Sequence, residues 1–148
     1  MAIDTLQQLY KKDLTRLKTE ITSYTKEENL WIVDGVITNS GGNLCLHLLG
    51  NLNAFIGTHI GNTGYVRDRE FEFAGKDVSK ASLIRQIDDT IVVVQKALAL
   101  VDQNLLSSEY PINVFKEPMT YEFFLIHLSS HLTYHLGQIN YHRRLLDK

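Results

Sequence analysis

The sequence predicts an all-α protein, a four-helix bundle with a long crossover between its second and third helices. Apolar residues recur at steps of three and four along four long segments, each preceded by a capping residue. The connections 61–80 and 107–119 are too long for tight turns, and such connections are typical of some four-helix bundles. No internal repeat or domain boundary is visible, so we expect one domain over residues 1–148.

Composition excludes several classes of protein. The chain has 148 residues, of which 44% are hydrophobic and 22% are charged, and its net charge is −2 without a basic patch. We therefore expect a packed core and no nucleic-acid partner. The N-terminus lacks a signal-peptide pattern, no apolar run is long enough to span a membrane, and the lone Cys45 cannot form an internal disulfide. A cytoplasmic protein without a membrane partner is the expectation.

The first predicted helix covers about residues 5–24, with Asp4 or Thr5 as its cap. Its apolar positions face one side, with lysines and glutamates between them. Residues 25–40 then favour extended structure around Asp34-Gly35. We interpret this stretch as an ordered loop in which Trp31 closes one end of the core, and a small hairpin is the alternative.

The second predicted helix covers about residues 44–60, with Ser40 or Asn43 as its cap and Gly61 at its end. Gly50 and Gly57 lie inside it, and each costs about 1 kcal/mol relative to alanine. The expected reason is close approach by a neighbouring helix, a bulky side chain or a ligand.

The third and fourth helices are predicted from the same signals, apolar periodicity and a capping residue. An ordered crossover leads to a third helix over about residues 80–105, capped by Ser79. Its valines at 92–94 lie on more than one face, which fits either a dimer interface or deep burial. Thr120 caps the fourth helix, which carries Glu122 in its first turn and arginines in its last, as the helix dipole favours.

Histidines are concentrated in the fourth helix. They are His127, His131, His135 and His142, and all project within a stripe roughly 80° wide. Neutral imidazole is the commonest metal ligand, but His142 lies about 10.5 Å along the axis from His135. The pair is therefore His127 with His131 or His131 with His135, and spacing does not choose between them. A third ligand must come from elsewhere, and the remaining histidines are His47 and His59.

The run His131-x-x-x-His135-Leu-Gly-Gln-Ile139 at the end of a four-helix chain resembles the DinB/YfiT-like superfamily of metal-binding bundles. Leu44-x-x-His47-Leu-Leu-Gly50 is similar to the setting of that family's first ligand. The resemblance implies a metal site formed by His47, His131 and His135, with His127 as an additional histidine. It also implies an up-down-down-up bundle that forms a homodimer, a divalent metal, zinc or nickel, and thiol transferase or mycothiol-dependent isomerase activity.

Five other residues are candidates for the surroundings of this site. Asn51 could accept the second N–H of His47, and Gln138 could orient a water or a histidine. We interpret His127 as a pocket residue. Arg67 and Arg69 either bind an anionic thiol or substrate, or form surface ion pairs that hold the crossover, which is the reading we favour. The alternative is a capping or exposed position for Gln138, a buried polar contact with a neighbouring helix for Asn51, and metal ligation for His127.

Two functions are consistent with these residues. The first is a metal-dependent enzyme, a thiol transferase acting on a small-molecule thiol and an electrophile. The second is a metal-binding or stress-associated bundle without turnover. Hydrolysis would need a general base, and no glutamate stands out for that role. Cys45 is interpreted as a buried structural cysteine rather than a nucleophile.

Overall fold

The computed structural model describes residues 1–148 and confirms an all-α bundle. Its six α-helices are α1 (Ala2–Ser23), α2 (Gly41–Leu52), α3 (Arg69–Ala74), α4 (Lys80–Leu98), α5 (Gln103–Leu106) and α6 (Tyr121–Leu146). The four predicted helices correspond to α1, α2, α4 and α6. None of these helices is long and apolar enough to cross a membrane.

Hydrogen bonds made by side chains show how the four long helices run. Gln7 with Gln95 and Lys18 with Asp88 join α1 to α4, and Tyr10 with Leu125 and Glu20 with Arg143 join α1 to α6. His47 of α2 contacts His131 of α6, and Asn53, just after α2, contacts Thr90 of α4. Residue numbers rise together in α1 and α6, but they run in opposite senses in α1 and α4. Gly41 at the start of α2 adjoins Tyr24 and His142, so α2 is antiparallel to α1 and α6. The order is up-down-down-up, and the parallel pair α2 and α4 requires the long crossover.

A single cluster of 30 buried hydrophobic side chains joins the helices. Each long helix contributes a row of them at helical spacing, for example Leu14, Leu17 and Ile21 of α1, which are fully buried. Trp31 ends a short 3₁₀ helix, Glu27–Trp31, and its ring lies against Gly42. The prediction of an ordered loop in which Trp31 closes the core is therefore confirmed, and no hairpin forms.

Three helix ends differ from the predictions. α1 already begins at Ala2, after Met1, so neither Asp4 nor Thr5 caps it. α2 starts at Gly41, where the Ser40 hydroxyl accepts a hydrogen bond from Asn43 N, and it continues beyond Leu52 as a π-helix, Asn53–Thr58. The predicted third helix ends early, at Leu98. Asp102 accepts a hydrogen bond from Leu105 N and thereby caps the separate helix α5, since a short acidic side chain competes with the helical backbone for its donors.

The crossover is ordered, as predicted, and it contains the short helix α3. Asp68 caps this helix by accepting a hydrogen bond from Phe71 N. The Asn43 side-chain amide of α2 donates to the carbonyl oxygens of Glu72 and Gly75, at 3.1 and 2.8 Å. These bonds hold the exit of α3 against the first turn of α2, and they thereby place the Glu72 side chain beside His47.

The chain end closes the bundle near the C-terminus of α1. The Asp147 carboxylate accepts hydrogen bonds from the backbone N–H groups of Thr25 and Lys26 and from the Asn29 side chain, at 2.7 to 3.2 Å. Burial raises the pKa of Asp147, but these donated hydrogen bonds outweigh it and lower the pKa to about 2.

Candidate metal centre

Three histidines from two antiparallel helices meet at one point of the bundle. One ring nitrogen from each of His47, His131 and His135 lies within 4.8 Å of the other two, and these three residues could hold a metal ion. Nε2 of His131 is 3.1 Å from Nε2 of His47 and 3.1 Å from Nε2 of His135. Of the two helical pairs that spacing left open, the structure brings the later one, His131 with His135, to the histidine of α2.

The separations suit a small cation. Zinc lies 2.0–2.1 Å from histidine nitrogens, so tetrahedral geometry sets two such nitrogens about 3.3 Å apart. The observed 3.1 Å between the His131 nitrogen and each neighbour is close to that value.

Glu72 fixes the orientation of His47. Its carboxylate is buried and lies 3.0 Å from Nδ1 of His47, while Arg67 donates to both carboxylate oxygens at 2.9 Å. Burial raises the pKa of Glu72, but the hydrogen bonds from His47 and Arg67 prevail and hold that pKa below its ordinary value. An ionised carboxylate only accepts hydrogen bonds. Nδ1 of His47 must therefore carry a proton, so this hydrogen bond selects the neutral tautomer in which Nε2 bears the lone pair.

Gly50 makes room for this carboxylate. A Cβ atom built on Gly50 would overlap Oε2 of Glu72 and would lie 2.5 Å from its Cδ. The prediction that glycines inside this helix permit close approach is confirmed at this position, and the approaching group is a buried side chain from the crossover. Gly57 likewise lies against a side chain, Val93 of α4.

Gln138 fixes the third histidine in the same way. Its side-chain oxygen lies 2.6 Å from Nδ1 of His135, one turn earlier on α6. The Gln138 oxygen accepts, so Nδ1 of His135 donates and Nε2 again carries the lone pair. Burial lowers the pKa of His135 and outweighs the opposite effect of the Gln138 hydrogen bond, and the neighbouring His47 lowers the pKa further, which favours the neutral ring.

His131 lies between the Nε2 lone pairs of His47 and His135. Burial, followed by the influence of His135 and His47, lowers its pKa to about 4, so the ring is neutral near pH 7. Its Nε2 can supply at most one proton to two acceptors, and its Nδ1 is buried without a partner. A cation bound between the three Nε2 atoms would pair with all three lone pairs at once. One proton on Nε2 of His131 can reach only one of the other two lone pairs.

The other histidines lie outside this group. His127 is exposed, and its ring packs against Phe115 and Phe124 at centroid distances of 4.9 and 6.1 Å. His59 is exposed at the end of the π-helix. His142 is buried and bonded through both ring nitrogens.

The His142 ring has a structural role. Its Nε2 donates to the carbonyl oxygen of Ile32 at 2.8 Å, and the Tyr24 hydroxyl lies 2.7 Å from its Nδ1. These bonds join α6 to α1 and to the segment that follows the 3₁₀ helix.

Three predictions about the surroundings can now be compared with the structure. Asn51 does not accept the second N–H of His47, because Glu72 takes that position and the Asn51 side-chain oxygen is buried without a partner. Arg67 forms an ion pair, as the favoured reading expected, but with buried Glu72 rather than at the surface. Arg69 is exposed, has no ion-pair partner, and lies 5.2 Å above the Phe73 ring.

Glu72 was not among the residues predicted for the site, although its carboxylate lies beside His47. Glu72 lies in the crossover, in Arg69-Glu-Phe-Glu-Phe73, where nothing distinguishes it from exposed Glu70. Gly50 was the available signal, since an unexplained helical glycine one turn after His47 indicates that something lies beside that histidine.

Cys45 is not part of the group. Its side chain is fully buried, and burial raises its pKa to about 12, so its thiol stays protonated near neutral pH. The interpretation of Cys45 as a buried cysteine is confirmed.

Comparison with known proteins gives the fold more clearly than the activity. A crystal structure of a conserved protein from Enterococcus faecalis is similar, with a TM-score of 0.75 and 16% sequence identity over 97% of this chain and 95% of that one. At this identity the likeness concerns the fold. No curated protein matches the chain. The sequence matches a family described as proteins of unknown function, DUF1572, over residues 2–148. The chain therefore belongs to the DUF1572 family.

Proposed function

We propose that this protein binds one divalent metal ion, zinc or nickel, through His47, His131 and His135, and uses it to transfer a small-molecule thiol to an electrophile. The convergence of three imidazole nitrogens, two of them with assigned lone pairs, carries the proposal. The resemblance of the terminal motif to the DinB/YfiT-like superfamily supports the metal and the thiol chemistry.

Three histidines are the protein ligand count of many catalytic zinc sites, which keep a further position open. A bound divalent ion supplies one thing to the reaction, a lowered pKa for the thiol that binds beside it. The chain's own residues hold the site for that thiol. Glu72 and Gln138 fix the tautomers of His47 and His135, and Arg67 neutralises the buried Glu72 charge.

The transfer itself is a substitution. The thiol releases its proton to solvent, and its sulfur forms a bond to the electrophilic carbon as the leaving group departs with the bonding electron pair. Arg69 is suited to bind an anionic group of the thiol, because its guanidinium has no carboxylate partner in the structure. It rests on Phe73, whose ring is 4.8 Å from that of His47.

A second candidate function is metal binding without turnover. It is favoured by the state of Glu72, since this carboxylate beside the histidines is already bonded to His47 and Arg67. It is therefore not free to act as a general base. The same observation weighs against hydrolysis by a metal-activated water.

The first experiment is metal content, measured by elemental mass spectrometry on the purified protein and after reconstitution with zinc or nickel. The proposal expects close to one metal per chain, lost in His131→Ala and kept in His127→Ala. The second variant is a matched control, because it removes the same side chain one turn earlier on the same helix. Failure of the parent protein to bind either metal would overturn the metal site.

Thiol transfer is measured next, with 1-chloro-2,4-dinitrobenzene as a chromogenic electrophile and several small thiols. Metal-dependent product formation that His131→Ala abolishes would support the transferase. Full metal binding without turnover by any thiol would favour the second candidate function.

A further inference from the structure

A cavity lies between the C-terminal half of α6 and the segment that precedes α2. Its volume of about 420 Å³ falls within the range of about 300–1,000 Å³ that is usual for small-molecule sites. Its lining includes the apolar side chains of Val36, Ile37, Leu44, Tyr141 and Leu145, and no aspartate, glutamate, lysine or arginine contributes to it. The cavity is therefore suited to an uncharged molecule with an apolar body.

The chain itself leaves much of this apolar surface uncovered. Val36, Tyr141 and Leu145 are each more than half exposed, although they border the same cavity. Single exposed apolar residues are ordinary on a protein surface, but a contiguous group of them is typical of a binding site. A molecule in the cavity would shield part of this surface from water, and the hydrophobic effect would favour its binding.

The residues that line the cavity are already held in place. The His142 ring forms part of the lining and is bonded through both nitrogens, to the Tyr24 hydroxyl and the Ile32 carbonyl oxygen. Ile37, another lining residue, ends a turn that is closed by a 3.0 Å hydrogen bond from its N–H to the Asp34 carbonyl oxygen. Because these groups need little rearrangement, the cost of ordering them on binding is small.

Gln138 belongs both to this cavity and to the surroundings of the metal centre. It lines the cavity, and its side-chain oxygen accepts the 2.6 Å hydrogen bond from Nδ1 of His135. The Gln138 NH2 group has no hydrogen-bond partner within the chain and is left for a ligand. Since an amide NH2 group only donates, the matching group on an uncharged ligand is an acceptor such as a carbonyl oxygen.

We propose that this cavity binds a small, uncharged molecule with an apolar body and a carbonyl group, whose oxygen accepts a hydrogen bond from Gln138. Such a carbonyl would hold the Gln138 side chain in the orientation in which its oxygen accepts from His135, and this orientation fixes the tautomer that binds a metal. The ligand and the metal should therefore strengthen each other's binding by the same factor. The coupling rests on the proposed metal site, whereas the cavity does not.

The test is a titration of the full-length protein with acetophenone, an uncharged aromatic ketone, followed by proton–nitrogen correlation NMR spectra. In the metal-free protein we expect saturable shifts of the amide signals of residues 36–39 and 141–145, with a Kd of about 1 mM or lower. Loading with zinc should lower this Kd about fivefold or more. Ethylbenzene has a similar body without the carbonyl, so it should bind in the cavity without a dependence on zinc.

Three variants locate the site and the coupling. Leu145→Glu places a charge in the cavity at a side chain that is already more than half exposed, so the fold should be kept and the Kd for acetophenone should rise about tenfold or more. Leu100→Glu is the matched control, because it makes the same change at an exposed leucine outside the cavity and should leave the Kd unchanged. Gln138→Ala should keep ethylbenzene binding and remove the effect of zinc on acetophenone.

The two parts of the proposal fail separately. The absence of saturable binding of both acetophenone and cyclohexanone to the metal-free protein would overturn the site. So would an unchanged Kd in Leu145→Glu, or shifts centred outside the cavity, which decide the matter if that variant does not fold. A zinc-loaded protein that binds acetophenone no more tightly than the metal-free protein would overturn the coupling. A protein that binds no zinc would overturn the metal site and the coupling with it, while the metal-free titration still decides the cavity.

Discussion

Replacing Gly50 with alanine should weaken metal binding, although the new methyl group touches none of the three histidines. A Cβ at this position would overlap the Glu72 carboxylate and lie 2.5 Å from its Cδ, whereas ordinary contacts begin near 3.4 Å. The carboxyl group must therefore retreat by about 1 Å, a shift that breaks a hydrogen bond of normal length. The bond at risk is the 3.0 Å contact that fixes the tautomer of His47.

The magnitude follows from the role of the carboxylate. Losing a partner that orients a ligand typically lowers metal affinity about 10–100-fold, which is about 1.4–2.7 kcal/mol. Alanine also favours helix by about 1 kcal/mol relative to glycine. The metal-free variant should therefore lose little stability, and the defect should appear mainly in metal affinity.

The assay is competition for zinc against a chromophoric chelator, for the wild type, Gly50→Ala, Glu72→Gln and the double variant. Because both substitutions act on one hydrogen bond, their effects should not add, and the double variant should bind zinc about as weakly as Glu72→Gln alone. Wild-type affinity in Gly50→Ala, or additive losses in the double variant, would refute the assignment of Glu72 as the residue that positions His47.

Four further predictions follow from named groups. Arg69→Ala should raise the KM for a carboxylate-bearing thiol such as 3-mercaptopropionate and leave that for 2-mercaptoethanol unchanged; equal effects on both thiols would contradict anion binding by Arg69. In the metal-free protein, the pKa of His131 is lowered from 6.5 to about 4 in the folded state, so the unfolded chain binds more protons between these values. The free energy of unfolding, measured with urea, should therefore decrease as pH falls from 6.5 towards 4, and less steeply in His131→Ala. Cys45 should not react with a disulfide reagent until the protein unfolds, and Cys45→Ala should retain thiol transfer. Asp147→Asn should lower the melting temperature by about 2–4 °C near pH 7. This difference should shrink as pH falls from about 4 towards 2, where the wild-type carboxylate is also protonated.

The sequence was most informative where a pattern repeats. Apolar residues at helical spacing predicted the four long helices, and capping residues predicted the starts of two of them, at Ser79 and Thr120. Helix ends were less predictable, because they depend on local competition. Asp102 starts a new short helix within what periodicity alone extends to Leu105.

The histidine helix could be predicted, but the partner of His47 could not. Periodicity orders residues within one helix, and it carries no information on which residue of a twenty-residue crossover reaches the core. Asn51 was the obvious choice because it lies one turn after His47 on the same helix. The structure gives that position to Glu72, since hydrogen bonds from Asn43 dock the crossover there.

The three histidines and the residue that orients His47 come from different parts of the chain, and this has a physical consequence for the site. The three histidines come from helices that the hydrophobic core already holds in place. The group that orients one of them comes from the crossover, which is held by Asn43 and by the buried pair of Arg67 with Glu72. A buried carboxylate without its partners is costly, so docking of the crossover and orientation of His47 stabilise each other. A metal that prefers the oriented histidine must then favour the docked crossover by the same free energy, because linkage is reciprocal. The crossover therefore belongs to the metal centre as much as the helices do, and changes in it should alter metal affinity even when all three histidines are retained.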